Sequence, residues 1–158
     1  MQINVKKLYE DAKLPTRGSE KAAGYDLYAH ITEFVGCEQT LPFEEPKIKI
    51  PAHSTAKIGT GLSMAVPDGY FGAVFARSGL ATKQSLRPAN CVGVCDSDYR
   101  GEYIVALHND SDEDRYVENG ERIAQLVIMP FLSIEFNETD TLDETDRGEG
   151  GFGSTGKK

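Results

Sequence analysis

The stretch Thr55–Ala76, TAKIGTGLSMAVPDGYFGAVFA, decides the fold class. Two apolar-rich runs, Thr55–Val66 and Tyr70–Ala76, flank Pro67-Asp68-Gly69. Proline presets a turn dihedral and glycine accepts a left-handed one, so the runs are predicted strands joined by a turn. Working outward, the same pattern predicts strands at Ile3–Leu8, Lys47–Ile50, Asn90–Cys95, Glu102–His108, Arg122–Met129 and Leu132–Phe136. Ser97–Gly101 and Asn119-Gly120 supply further turns. Only Ser78–Ser85 (SGLATKQS) predicts a short helix, with Ser78 available as its N-cap. Short strands separated by turns, with no internal repeat, indicate an all-β sandwich or jelly roll.

A chain of 158 residues fits one domain with a sizeable core. Its apolar runs are brief: Ile123–Phe131 is interrupted by Gln125 and Pro130, far short of the ~20 residues of a spanning helix. The start, MQINVKKLYEDAK, has no apolar signal region. The expectation is a soluble, cytoplasmic protein with no membrane partner. A net charge of −8 repels phosphate, which argues against non-specific nucleic-acid binding. A nucleotide ligand would therefore need cations gathered locally. Cys37, Cys91 and Cys95, like His30, His53 and His108, lack zinc-ligand spacing and fit reduced thiols in a reducing compartment.

Two regions depart from the strand pattern. Gly36–Pro46 (GCEQTLPFEEP) reads as a long acidic loop. From Asn137 the chain is polar and acidic, then glycine-rich at RGEGGFGSTGKK. The expected organisation is a β domain over 1–136 and a mobile arm over 137–158. Gly151, Gly153 and Gly156 spell G-x-G-x-x-G, and Gly151 with Gly156-Lys157 imitates part of a P-loop. Both motifs require a preceding strand and a following helix that receives the phosphates, and no helix follows here. A floppy tail is the plainer reading. Against it stand Phe152 and Arg147, an aromatic platform and a cation among exposed amides that can close over a base and phosphates.

Two further clusters carry chemistry. In Asn90-Cys-Val-Gly-Val-Cys-Asp96-Ser-Asp-Tyr99-Arg-Gly101, an unbroken strand would put Asn90, Val92, Val94 and Asp96 on one face. A carboxylate there can act as general base towards a held water. Alone, D-S-D-Y-R-G is more often a solvated turn. Ala76-Arg77-Ser78-Gly79 lies at a strand-to-helix junction, where a cation, a hydroxyl and free amides suit an anion. An ordinary N-cap beside a surface arginine is the bland alternative.

In order along the chain stand Ala22-Ala-Gly-Tyr-Asp26-Leu, Arg77-Ser-Gly-Leu-Ala, Asn90 through Gly101, Gly120-Glu-Arg-Ile-Ala-Gln125-Leu and Arg147-Gly-Glu-Gly-Gly-Phe-Gly-Ser-Thr-Gly156. This succession resembles the five motifs of the trimeric dUTPase family, from about Leu14 to Gly156. The resemblance implies a jelly roll, a homotrimer with shared active sites, and magnesium-dependent hydrolysis of dUTP to dUMP and pyrophosphate. Such an activity limits uracil incorporation into DNA and supplies dUMP for dTTP synthesis. Asp96 resembles the base that deprotonates a water attacking the α-phosphorus. Asn90 resembles the reader of the uracil edge, and Tyr99 the tyrosine that stacks on deoxyribose and excludes a 2′-hydroxyl. Arg77, Ser78, Gly79 and Gln125 match the phosphate side. Asp26 matches an acid reaching Mg2+ through water, the metal sitting mainly on substrate phosphates. Phe152 is expected to stack on uracil, while Arg147, Gly153, Ser154 and Thr155 cover the phosphates from a neighbour's arm.

Cys91 and Cys95 occupy positions where the family often has aliphatic side chains, and core filling is the plainer reading of both. The Gly36–Pro46 loop is longer than a minimal member needs; a protein partner there is one reading, a tolerated insertion the other. A dCTP deaminase of the same fold is the rival enzyme, opposed by Gly79 and the complete terminal motif. A regulatory protein on the same scaffold is the rival of another class.

Overall fold

The computed structural model describes residues 1–33, 35–36 and 46–151. In chain order the strands are β1 Asn4–Lys7, β2 Thr16–Arg17, β3 Tyr25–Tyr28, β4 Lys47–Ile50, β5 Thr55–Gly59 and β6 Leu62–Ala65. They continue with β7 Tyr70–Phe75, β8 Leu86–Pro88, β9 Val92–Cys95, β10 Ile104–Asn109, β11 Arg115–Glu118 and β12 Arg122–Pro130. One helix, α1, spans Ser78–Gln84. The largest sheet has the order β2-β3-β12-β7-β9, a second β5-β10-β8, and β1-β6 and β11-β4 form pairs. All these strand pairings are antiparallel. This is the expected all-β sandwich with one short helix.

The alternation of each strand explains the single core. Leu27, Val74 and Leu126 point inward from the five-stranded sheet and meet Ile50, Ile58, Val105, Leu107 and Val117 from the others. Removing one such buried leucine to alanine costs about 2–5 kcal/mol, so the layers are held chiefly by this apolar contact. Asn109 is buried at the end of β10, and its amide donates to Ile50 O, Pro51 O and Glu113 O, fixing the loops that flank β4.

Several expectations are corrected. Thr55–Val66 is two strands, because Gly61 turns the chain at φ 67°. A Cβ there would lie 2.8 Å from Ala12 Cβ, so only glycine allows this approach. Ser78 is the first helical residue, not the N-cap. Arg77 holds the extended cap conformation (φ −87°, ψ 129°), and its carbonyl accepts from Ala81 N at 3.0 Å. Leu132–Phe136 is not a strand. Leu132, Ile134 and Phe136 alternate as a strand's apolar face should, yet they are 87%, 64% and 93% exposed. Among the described residues no strand pairs with the segment, and extended backbone without a ladder is not a sheet. Residues 131–149 are all exposed. The greater part of the Gly36–Pro46 loop and the tail from Phe152, with Gly153, Ser154 and Thr155, lie outside the described residues. Among the described residues, no helix is long and apolar enough to cross a membrane.

Candidate active site

The predicted site residues fall into two clefts. The first, of about 250 Å³, lies between the β9 hairpin and β10 and is lined by Asn90, Asp96 and Tyr99 with Cys95, Tyr103 and Val105. Its geometry begins at the turn before β9, where Cys91 takes φ 62° and Val92 N donates to Asn90 O at 2.6 Å. That bend takes Asn90 out of the strand's alternation. A Cβ on Gly93 would stand 3.2 Å from Val74 Cβ and 3.6 Å from Asn90 Nδ2, so the missing side chain leaves room for the amide. After β9, Tyr99 N donates to Asp96 O at 3.2 Å and closes the turn. The Tyr99 hydroxyl donates to Glu102 O at 2.8 Å, tying the ring across Gly101. The side chains of Asp96 and Asn90 have no hydrogen-bond or ion-pair partner among the described residues and are exposed. Both are free for a ligand. Burial pushes the Cys95 thiol above its ordinary range, which keeps it protonated and unreactive.

The second cleft, of about 480 Å³, is lined by Asp26, Arg77, Ser78, Gly79, Arg122 and Gln125 among others. Register builds it: Asp26 pairs with Gln125, and Gln125 with Phe75, one row across three strands. Asp26 Oδ1 accepts from Arg77 Nε at 2.8 Å and Oδ2 from Arg122 Nη1 at 3.2 Å. Arg77 Nη1 also donates to Arg122 O at 3.3 Å. Gln125 Nε2 donates to Ala76 O at 2.8 Å, and Gln125 lies against Gly24, where a Cβ would be 2.5 Å from its Oε1. The result is a fixed pair of guanidiniums beside a helix start that has no side-chain cap. Such an array suits an anion despite the acidic balance of the chain.

The clefts share no lining residue. Val74 lines the first and Phe75 the second, and neighbouring strand residues point to opposite faces. Strand β7 therefore stands between the two clefts. Arg147 reaches neither cleft; its Nε donates to Gly150 O at 2.7 Å within a local turn. Arg122 and Tyr103 are among the lining residues that the sequence did not single out. Arg122 was legible, three residues before Gln125 in the same motif, whereas nothing local marks Tyr103.

An antiparallel sandwich carrying a free carboxylate in one cleft and ordered arginines in another has the parts of a nucleotide hydrolase. The family profile described as dUTPase matches residues 10–156. A deoxyuridine 5'-triphosphate nucleotidohydrolase of Arabidopsis thaliana is 47% identical over 154 residues, covering 98% of this chain and 82% of that relative. The Staphylococcus bacteriophage 80alpha dUTPase, solved with dUPNHPP, superposes with a TM-score of 0.81 at 27% identity, covering 98% of each chain. A dUTPase of phage phi11 of S. aureus, whose structure describes coordination of a structural Mg(II) ion, shares the fold. Its TM-score is 0.75 at 20% identity, covering 91% of this chain and 100% of that one. The chain belongs to the dUTPase family.

Proposed function

We propose that this chain hydrolyses dUTP to dUMP and pyrophosphate as a homotrimer, each site joining the base-side cleft of one subunit to the phosphate-side cleft of another. The observation that carries the shared site is strand β7 standing between the two clefts. One nucleotide cannot lie in both on a single chain. The exposed alternation Leu132, Ile134, Phe136 supports assembly too, since it is an apolar, strand-like pattern that meets no partner among the described residues.

In the assembled site Asn90 offers one donor and one acceptor to the uracil edge, so cytosine would leave them mismatched. Tyr99 lies against deoxyribose. Asp96 accepts a proton from a water aimed at the α-phosphorus; a carboxylate is a weak base, so its placement of the water contributes more than its basicity. Arg77, Ser78, Gly79 and Gln125 hold the phosphates. Arg147, Phe152, Gly153, Ser154 and Thr155 close over the substrate from a neighbour's arm, 137–158 following a domain of 1–136. Mg2+ would neutralise charge building on the phosphates. Asp26 fits it through water: each oxygen accepts one arginine bond, and a carboxylate offers about four acceptor sites. Among the described residues, no group of three or more His, Cys, Asp or Glu is placed to hold a metal, so the ion would travel mainly on the phosphates. The cytoplasm, a reducing compartment, suits the free thiols Cys91 and Cys95.

Co-refolding inactive Asp96→Asn and Arg77→Ala chains tests the shared site. Mixed trimers contain sites with two intact halves, and dUTP hydrolysis should reappear. A mixture as inactive as its parents, with trimers formed, rejects the joined clefts.

A further inference from the structure

Tyr103 lies outside the five motif segments, yet it lines the base-side cleft. It heads the fully buried side chains by volume, at 2% exposure. Its backbone is held from both sides: N donates to Leu62 O at 2.8 Å, and O accepts from the buried Thr60 hydroxyl at 2.7 Å. The ring therefore grows from a fixed point in the core. Its hydroxyl reaches the β7–β9 pair, where a Cβ on Gly72 would lie 3.3 Å away. Gly72 thus makes the space that Tyr103 fills. Among the described residues that hydroxyl makes no well-formed hydrogen bond, its polar neighbour being the Cys95 thiol, a weak partner. The ring centroid lies 6.0 Å from that of Tyr99, at 52° between planes. Tyr99 is 42% exposed, and among the described residues its ring is held by the bond to Glu102 O, by Gly101 against which it lies, and by the Tyr103 ring.

We propose that Tyr103 is a positioning residue for sugar selectivity: its ring fixes the tilt of Tyr99 and, through it, the closure against a ribose 2′-hydroxyl. The inference rests on the reading of Tyr99 as the side chain that lies on deoxyribose. The phenol-tip bond and the contact with Gly101 limit the Tyr99 ring on one side but leave its plane free to rock towards the other, and rocking opens the space a hydroxyl needs. The buried partner removes that freedom. Selectivity thus extends beyond the recognised motif into the core, through shape rather than through contact with the nucleotide.

The test is the ratio of kcat/KM for dUTP over UTP in intact trimers. Tyr103→Leu should narrow it by roughly tenfold, the weight of one well-formed aromatic pair. Most of that change should be a gain on UTP, with kcat for dUTP nearly kept. Tyr103→Phe retains the ring and should keep the wild-type ratio. In a Tyr99→Leu background, adding Tyr103→Leu should change the ratio no further. If Tyr103→Leu fails to assemble, Tyr103→Met fills the site with a flexible chain and should give the same narrowing. A ratio unmoved by Tyr99→Leu would reject the reading of Tyr99. A ratio that falls with Tyr99→Leu but not with Tyr103→Leu or Tyr103→Met would overturn the role of Tyr103. A fall as large with Tyr103→Phe as with Tyr103→Leu would also overturn it, by assigning the effect to the hydroxyl.

Discussion

The base-side and phosphate-side clefts prepare for their ligands in opposite ways. On the base side the side chains of Asn90 and Asp96 stand free, and the walls behind them are Val74, Val105 and the ring of Tyr103. On the phosphate side the charges are already paired, Arg77 and Arg122 gripping one carboxylate. The difference matches the chemistry that each cleft would meet in the proposed function. A neutral base is told apart by shape and by an amide whose hydrogen bonds remain to be made. A polyanion is met by cations whose positions must not depend on its arrival, and Asp26 holds two guanidiniums together that would otherwise repel. Asp26 is only 14% exposed, so its pairs are screened less than surface ones.

The comparison breaks most readily at Asp96. Asp96→Asn should keep the fold and nucleotide binding while lowering kcat by at least ~10²-fold in a pyrophosphate-release assay, whereas Asp98→Asn should cost far less. Deleting 147–158 should also remove most turnover and leave thermal unfolding almost unchanged. Of the deleted segment, residues 147–149 and 151 are exposed, so their loss removes little core. Unfolding at a much lower temperature would show that the arm is structural.

Smaller effects sharpen the contrast. Asn90→Ala should raise KM for dUTP and narrow the dUTP-to-dCTP ratio by about tenfold, the scale of one or two hydrogen bonds. Asp26→Ala should act on the other cleft, raising KM several-fold with little change in base preference. If Asp26→Ala altered the uracil-to-cytosine ratio, the two clefts would not be separable functions. The smallest expected effect is on alkaline stability. Burial raises Tyr103 and Cys95 above their ordinary values of 10.0 and 9.0. The unfolded chain then releases these protons first, so their contribution is complete below pH 9.0 and declines as pH rises past both ordinary values. Tyr103→Phe should flatten that decline in a melting-temperature profile without altering the neutral range, since its hydroxyl has no well-formed hydrogen bond to lose among the described residues.

What the sequence disclosed was what neighbours in the chain determine. Tyr70–Ala76 and Arg122–Met129 carry long apolar patterns between turn residues, and both are strands of the largest sheet. Thr16–Arg17 and Arg115–Glu118 escaped notice because they are polar and short; pairing with β3 and β4 makes them strands. Leu132–Phe136 has the pattern without the partner, so periodicity alone misled. In the site, residues within one motif were readable together. The Asp26–Arg77 and Asp26–Arg122 pairs span 51 and 96 residues and needed the register of β3 against β12. Tyr103 was silent because a buried tyrosine in a strand-like run looks like core, and its contact with Tyr99 depends on the turn between them.

The exposed segment Phe131–Phe136 also bears on how the protein reaches its working form. An unassembled chain presents Leu132, Ile134 and Phe136 as an uncovered strand face, the kind of short apolar template on which unlike or misaligned chains aggregate. The residues that follow include Glu138, Asp140, Asp143, Glu144 and Asp146, a run of negative charge next to that face. Like charge makes stacking of many copies unfavourable, and in the proposed homotrimer a closed ring of three would cover the face instead. In that proposed assembly the last stage of folding would be a collision between chains, with a rate that rises with their concentration. Until partners arrive, the acidic run would hold the uncovered faces of separate chains apart.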